Sequence, residues 1–211
     1  MLKDSAVDSS HTDHFRRRSS VILVDMQDHF FARHLQNGSP VGILKTLCEH
    51  QMSMLEWMGM LSASQRPELL VVEYYGHGRT LGCITETIRA QKLSYTLVTK
   101  WADSALVDGQ SLDGRKLPEL LGNPENSNGV LLSGVHSSLC VALLARGLIT
   151  RGYKVLLPHK CHGDFYGRAN RNRLPNAAET RARIMASTKA PAGSLHCGVT
   201  LSESLPMLAG R

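Results

Sequence analysis

Residues 129–157 read GVLLSGVHSSLCVALLARGLITRGYKVLL, and this stretch decides the fold. Val130 to Ser133 form an apolar run of the kind found in strands buried on both faces, ending in Gly134. A short polar turn then leads to Cys140. From there Val141, Leu143, Leu144, Leu148 and Ile149 place apolar side chains almost all round a helix. Gly152 stops it, because glycine accepts the left-handed conformation that a helix C-terminus often needs. Tyr153 to Leu157 open a new apolar strand. Strand, turn, helix and strand make one βαβ unit, and such units place ligands at the carboxyl ends of their strands.

The pattern repeats on either side. SVILVD (20–25), LLVVEYY (69–75), YTLVTK (95–100) and LHCGVT (195–200) read as further strands. Val41 to Leu61 has apolar residues at helical spacing, and its methionines are read as packing groups. Shorter helices are expected over 84–91 and near Leu117–Leu121. Two more open at the capping-box pairs Asn176/Glu179 and Thr200/Glu203. Residues 26–40, 101–128 and 158–175 read as loops; Asn37-Gly38-Ser39-Pro40 carries strong turn signals. Six strands alternating with helices predict a three-layer α/β/α architecture, a doubly wound and mainly parallel six-stranded sheet. Residues 1–18, polar and charged, are expected to be a disordered extension, and 19–211 a single domain.

Composition narrows the class. The longest apolar runs fall well short of the roughly 20 residues a membrane helix needs. The polar N-terminus lacks the apolar segment of a secretory signal, so a cytoplasmic protein is expected. Five cysteines without a CxxC pair read as reduced thiols. The net charge of +6 draws on Arg16–Arg18 and on Arg168, Arg171, Arg173, Arg181 and Arg183. With no nucleic-acid-binding motif beside them, these read as solvated surface, and no nucleic-acid partner is expected.

Asp25, Lys100 and Cys140 each end a strand or follow one directly. Singly, each has a plain reading: a cap, a solvated lysine, an inert core thiol. In a parallel sheet, however, all carboxyl ends lie on one edge, so the three can converge there. A thiol is mostly protonated at neutral pH. A helix start and an ammonium favour its thiolate, and a carboxylate can take its proton and return it to a leaving amine. Phe30, Tyr74, Tyr75, Trp101, Leu106 and His136 adjoin these strand ends as candidates for a substrate pocket; core packing is the alternative for Phe30 and Leu106. Gln27 and His29 are candidates for holding the loop after Asp25.

Three pieces, VILVDMQDHF, VTKWADSAL and SGVHSSLCVALLARGLITRGYKVLL, resemble the isochorismatase-like cysteine hydrolases. That family includes nicotinamidases, N-carbamoylsarcosine amidases and ureidoacrylate or maleamate amidohydrolases. The resemblance runs from about Ser20 onward and implies a catalytic triad of Asp25, Lys100 and Cys140. It implies a cis peptide at Val135–His136, an oxyanion hole of the His136 and Cys140 backbone N–H groups, and a homo-oligomer, a dimer or larger. It further implies hydrolysis of a C–N bond in a small amide, carbamoyl or ureido substrate through a thioester. Family members that cleave the vinyl ether of isochorismate commonly lack the cysteine. That activity and a non-catalytic binding role stand as alternatives. Nicotinamidases carry an Asp-x-His metal motif where this chain reads EYYGHGRTLG, with Glu73 and His77. His159, Cys161 and His162 match no common zinc spacing, so neither metal nor cofactor is expected. The family often has Phe at the position of Leu106.

Overall fold

A computed structural model describes residues 18–164, 173–186, 188, 191 and 193–208. The proposed N-terminal extension up to residue 17 lies outside these residues, as do Arg168 and Arg171. Arg18 already belongs to the first strand, β1 (Arg18–Val24). The chain continues through α1 (Asp28–Gln36), α2 (Val41–Met60), β2 (Glu68–Tyr74), α3 (Gly82–Ala90) and β3 (Tyr95–Lys100). Next come α4 (Ala105–Asp108), β4 (Gln110–Ser111), α5 (Leu117–Leu121), β5 (Ser127–Val135) and α6 (Cys140–Thr150). It closes with β6 (Val155–Pro158), β7 (His162–Gly163), α7 (Ala177–Met185), β8 (Leu195–Val199) and α8 (Leu201–Leu208).

The sheet order is β4-β3-β2-β1-β5-β6-β8, with β7 beside the end of β5. Every pairing is parallel except β3 with β4. From β1 the chain builds outward through β2 and β3, then crosses back to β5 and builds the other half. The order therefore reverses between β1 and β5, and a crevice for ligands opens at the carboxyl ends of such neighbours.

Strand alternation sends side chains to two buried layers. Val21, Leu23, Leu69, Val71, Leu131 and Leu156 pack with Met54, Leu55 and Met58 of α2 and Ile84 and Ile88 of α3. Ile22, Val24, Leu70, Val72, Val98 and Leu132 pack with Leu117, Leu120, Leu144, Leu148 and Ile184 of α5, α6 and α7. Helices thus cover both faces, which explains why the central strands read as unbroken apolar runs. Among the described residues no helix is long and apolar enough to cross a membrane.

All three stretches read as loops differ from that reading, 158–175 by the two-residue strand β7 (His162–Gly163). Within 26–40 lies α1, whose buried Phe30, Phe31 and His34 share one helical face. Phe30 and Phe31 cluster with Met26, Leu44, Leu47 and Val135 over the carboxyl end of β1 and β5. The Asn37-Gly38 turn signal is the stop of this helix: Gly38 and Ser39 N–H groups donate to Leu35 and His34 carbonyls. Within 101–128, α4, β4 and a short 3₁₀ turn (Pro124–Asn126) accompany the expected α5.

Candidate active site

Asp25 follows β1, Lys100 is the last residue of β3, and Cys140 is the first of α6. All three are buried. Lys100 Nζ lies 2.8 Å from Asp25 Oδ2, with both side chains wholly shielded from solvent. It also donates to the Asp103 carbonyl at 3.1 Å and sits 4.7 Å from the centre of the Tyr74 ring. The Cys140 thiol is close enough to both for each to act on its titration, Asp25 against the thiolate and Lys100 in its favour. The structure therefore brings the three strand-end residues into one cluster, beside the crossover between β1 and β5.

Backbone geometry sets their directions. Asp25 has φ +54°, a left-handed conformation that aspartate tolerates better than most residues, and its N–H donates to Val72 O at 2.9 Å. Beside it, a Cβ on Gly134 (φ +126°) would lie 2.0 Å from Val24 O, so only glycine lets β5 approach β1 this closely. The Val135–His136 peptide is cis. Leu139 and Val141 N–H groups donate to the His136 carbonyl at 3.0 Å, folding the turn back on itself before α6. Leu139, at the N-cap of α6, provides no side-chain cap.

The electrostatics follow from burial. Burial raises the pKa of Asp25 above the usual carboxylate range, although the Lys100 ammonium and the Cys140 thiol act against the rise. Burial also works against the charge of Lys100, but Asp25 and Cys140 more than offset it and its pKa rises. For Cys140, burial and then the Asp25 carboxylate push the thiol up to about 12, with Lys100 opposing. The Lys100 ammonium thus favours the thiolate as expected, but burial and Asp25 outweigh it and the thiol is protonated at rest.

The surrounding aromatic residues divide. Phe30 belongs to the packed cluster under α1, and its ring stacks on His77 (centroids 4.5 Å, 6° between planes). Tyr74 stands edge-on to His77, and His136 edge-on to Phe30 and His34. Tyr75 and Trp101 are 65% and 51% exposed, with rings 5.7 Å apart, next to Tyr74 and Lys100 in the chain. Leu106 packs in the core against Gly147 of α6. The Gln27 amide holds the following loop, accepting from Tyr74 N–H at 2.7 Å and donating to the Tyr74 and Gly78 carbonyls. Glu73 accepts from Thr80 N–H and hydroxyl, both at 2.7 Å. Among the described residues no three His, Cys, Asp or Glu are grouped to hold a metal ion. Asp164, which reaches this turn through Ser138, carried no signal in the sequence, and its partner Arg183 read as solvated surface.

The fold matches solved structures over nearly the whole chain. An isochorismatase-like hydrolase from Alkaliphilus metalliredigens superposes with a TM-score of 0.61 at 14% identity, covering 92% of this chain and 97% of that one. The chain has the isochorismatase-like fold. The MAR1 ribonuclease from Caenorhabditis elegans shares that architecture, with a TM-score of 0.59 at 15% identity and coverage of 93% and 83%. The nicotinamidase SaPncA from Staphylococcus aureus aligns at 0.52 and 19%, covering 71% and 84%. No protein-family model and no curated protein matches the sequence. At such identities the isochorismatase-like likeness is one of architecture, and the reading of the site rests on its own geometry.

Proposed function

We propose that this protein is a cysteine hydrolase that cleaves the C–N bond of a small amide, carbamoyl or ureido compound. The observation that carries the reading is the fully buried Asp25–Lys100 ion pair, which also acts on the buried Cys140 thiol, at the crossover where a doubly wound sheet binds ligands. The likeness to a nicotinamidase supports C–N cleavage as the reaction class.

In this mechanism Asp25 takes the thiol proton as Cys140 Sγ bonds to the substrate carbonyl carbon. A carboxylate with a raised pKa is the stronger base for that transfer. Lys100 stays an ammonium, so it is not the base; it holds Asp25 and offsets the negative charge passing to sulfur. The His136 and Cys140 N–H groups receive the carbonyl oxygen as it becomes an oxyanion. The C–N bond breaks and the leaving nitrogen takes the proton from Asp25, leaving a thioester on Cys140. Water attacks the thioester, giving its proton to Asp25, and the acid departs as that proton returns to sulfur. Phe30, Tyr74, Tyr75 and Trp101 are the side chains we place around the substrate.

The test is ammonia or amine release from a panel of simple amides and ureides, by wild type and Cys140→Ala. Wild-type turnover with a trapped acyl mass on the Cys140 peptide is expected, and both vanish in the variant. Turnover that survives Cys140→Ala overturns the proposal.

A further inference from the structure

Among the described residues the charged side chains with no exposed surface are Asp25, Lys100 and Asp164. The first two form the ion pair described above. Asp164 follows β7 and takes no part in that chemistry. Its Oδ1 accepts a hydrogen bond from Ser138 Oγ at 2.8 Å, and its Oδ2 is ion-paired with Arg183 of α7. Ser138 stands in the turn two residues before Cys140.

The same turn is gripped from behind by backbone. Ser137 N–H donates to Gly163 O at 2.8 Å, and Gly134 and Val135 pair with His162 and Gly163 of β7. Arg146 of α6 donates to the carbonyls of Arg183 and Ile184, tying α7 to the helix that starts at the nucleophile. Residues 135–138 are thus held by β7 and Asp164, and α7 backs this arrangement through Arg183 on Asp164 and its link to α6. Ser138 supplies the side-chain link in that arrangement, and its acceptor is charged, which makes the bond stronger than one between neutral groups.

We propose that Asp164 is a positioning residue: through Ser138 it fixes the turn bearing the oxyanion-binding N–H groups and Cys140, while Arg183 holds its carboxylate in place. This rests on the reading of Cys140 as the nucleophile. A carboxylate near a developing oxyanion would oppose it, and pairing with Arg183 offsets that charge. The chemistry asks for a turn held to within a fraction of an ångström, which side-chain and backbone anchors from two other elements can supply.

The experiment uses the full chain with Ser138→Ala, Ser138→Thr and Asp164→Asn. It reads steady-state kinetics on the best substrate of the panel, thermal midpoint, and hydrogen exchange of the peptide spanning 136–141. Ser138→Ala withdraws a hydrogen bond from a buried carboxylate, so the thermal midpoint should fall modestly, and the kinetics are read well below it. It should lower kcat by about tenfold with KM held within about twofold, since a misplaced reacting group costs rate rather than binding. Ser138→Thr, which keeps the hydroxyl, should restore kcat. Exchange over 136–141 should quicken in Ser138→Ala and in Asp164→Asn, which loses the charge paired with Arg183. Wild-type kcat in Ser138→Ala, or unchanged exchange in both variants, overturns the proposal. If wild type hydrolyses nothing, the reading of Cys140 fails, and exchange alone decides whether Asp164 holds the turn. If wild type is active and the variants match it, the positioning role alone fails.

Discussion

Cys140 carries a thiol that its surroundings keep protonated, and the neighbour that does most to keep it so after burial is the base proposed to remove the proton. This makes the roles of Asp25 and Lys100 separable by experiment. Asp25→Asn removes a negative charge beside sulfur, so the thiol pKa should fall. Alkylation by iodoacetamide at pH 8 should then be faster than in wild type, while hydrolysis falls by about 10²- to 10⁴-fold with the loss of the general base. Lys100→Met should slow alkylation, because the cation that favours the thiolate is gone. Reaction of the Cys140 peptide, followed by mass, checks both. Equal rates in wild type and Asp25→Asn would dissociate the carboxylate from the thiol. The sequence named these three residues because Asp25 and Lys100 close apolar strands and Cys140 opens the helix after another. It could not give the direction of the thiol shift, which depends on how completely the cluster is buried.

The elements that carry the site were unevenly legible. β1 and β5 could be read because both of their faces are buried, which leaves a continuous apolar run. α1 was obscured because its buried face is two phenylalanines and a histidine, too short a stripe to outweigh the turn signals that follow it. Contacts between elements distant in sequence left no local trace at all: Asp164 looked like any loop aspartate and Arg183 like part of a basic surface. The close approach of β1 and β5 rests on Gly134, whose role lies in its geometry. Gly134→Ala would need a positive φ and a Cβ inside the Val24 carbonyl, and flexible side-chain adjustment cannot relieve a backbone clash. A loss on the order of 3 kcal/mol is expected from strain and overpacking combined. Urea unfolding measures it, and a midpoint within error of wild type would mean that the two strands separate without cost.

At the scale of the whole molecule, two halves of the sheet meet at β1 and β5. The same packing that shields the site also buries His136 and His162. Burial, then His34, Lys100 and Arg33, lowers the pKa of His136 to about 3. Burial lowers that of His162 to about 4, against a backbone hydrogen bond with Pro158 that favours the charge. Both rings are therefore neutral in the folded protein, while in the unfolded chain they take up protons near pH 6.5. Below that pH the unfolded state binds more protons, so stability falls as the solution is acidified. Each histidine contributes about 1.4 kcal/mol per pH unit until its folded-state pKa is reached. Asp25, whose pKa is raised, contributes in the opposite sense, because its folded form holds a proton longer than its unfolded form. His162 is the cleaner probe. It bonds to Thr180 of α7 at 2.9 Å and so joins β7 to α7, away from the Asp25–Lys100 pair. The urea midpoint of the full chain should drop between pH 6.5 and pH 4. His162→Gln, which keeps a polar group without a titrating ring, should flatten that drop. A variant whose midpoint falls as steeply as wild type would show that acid lability arises elsewhere in the fold.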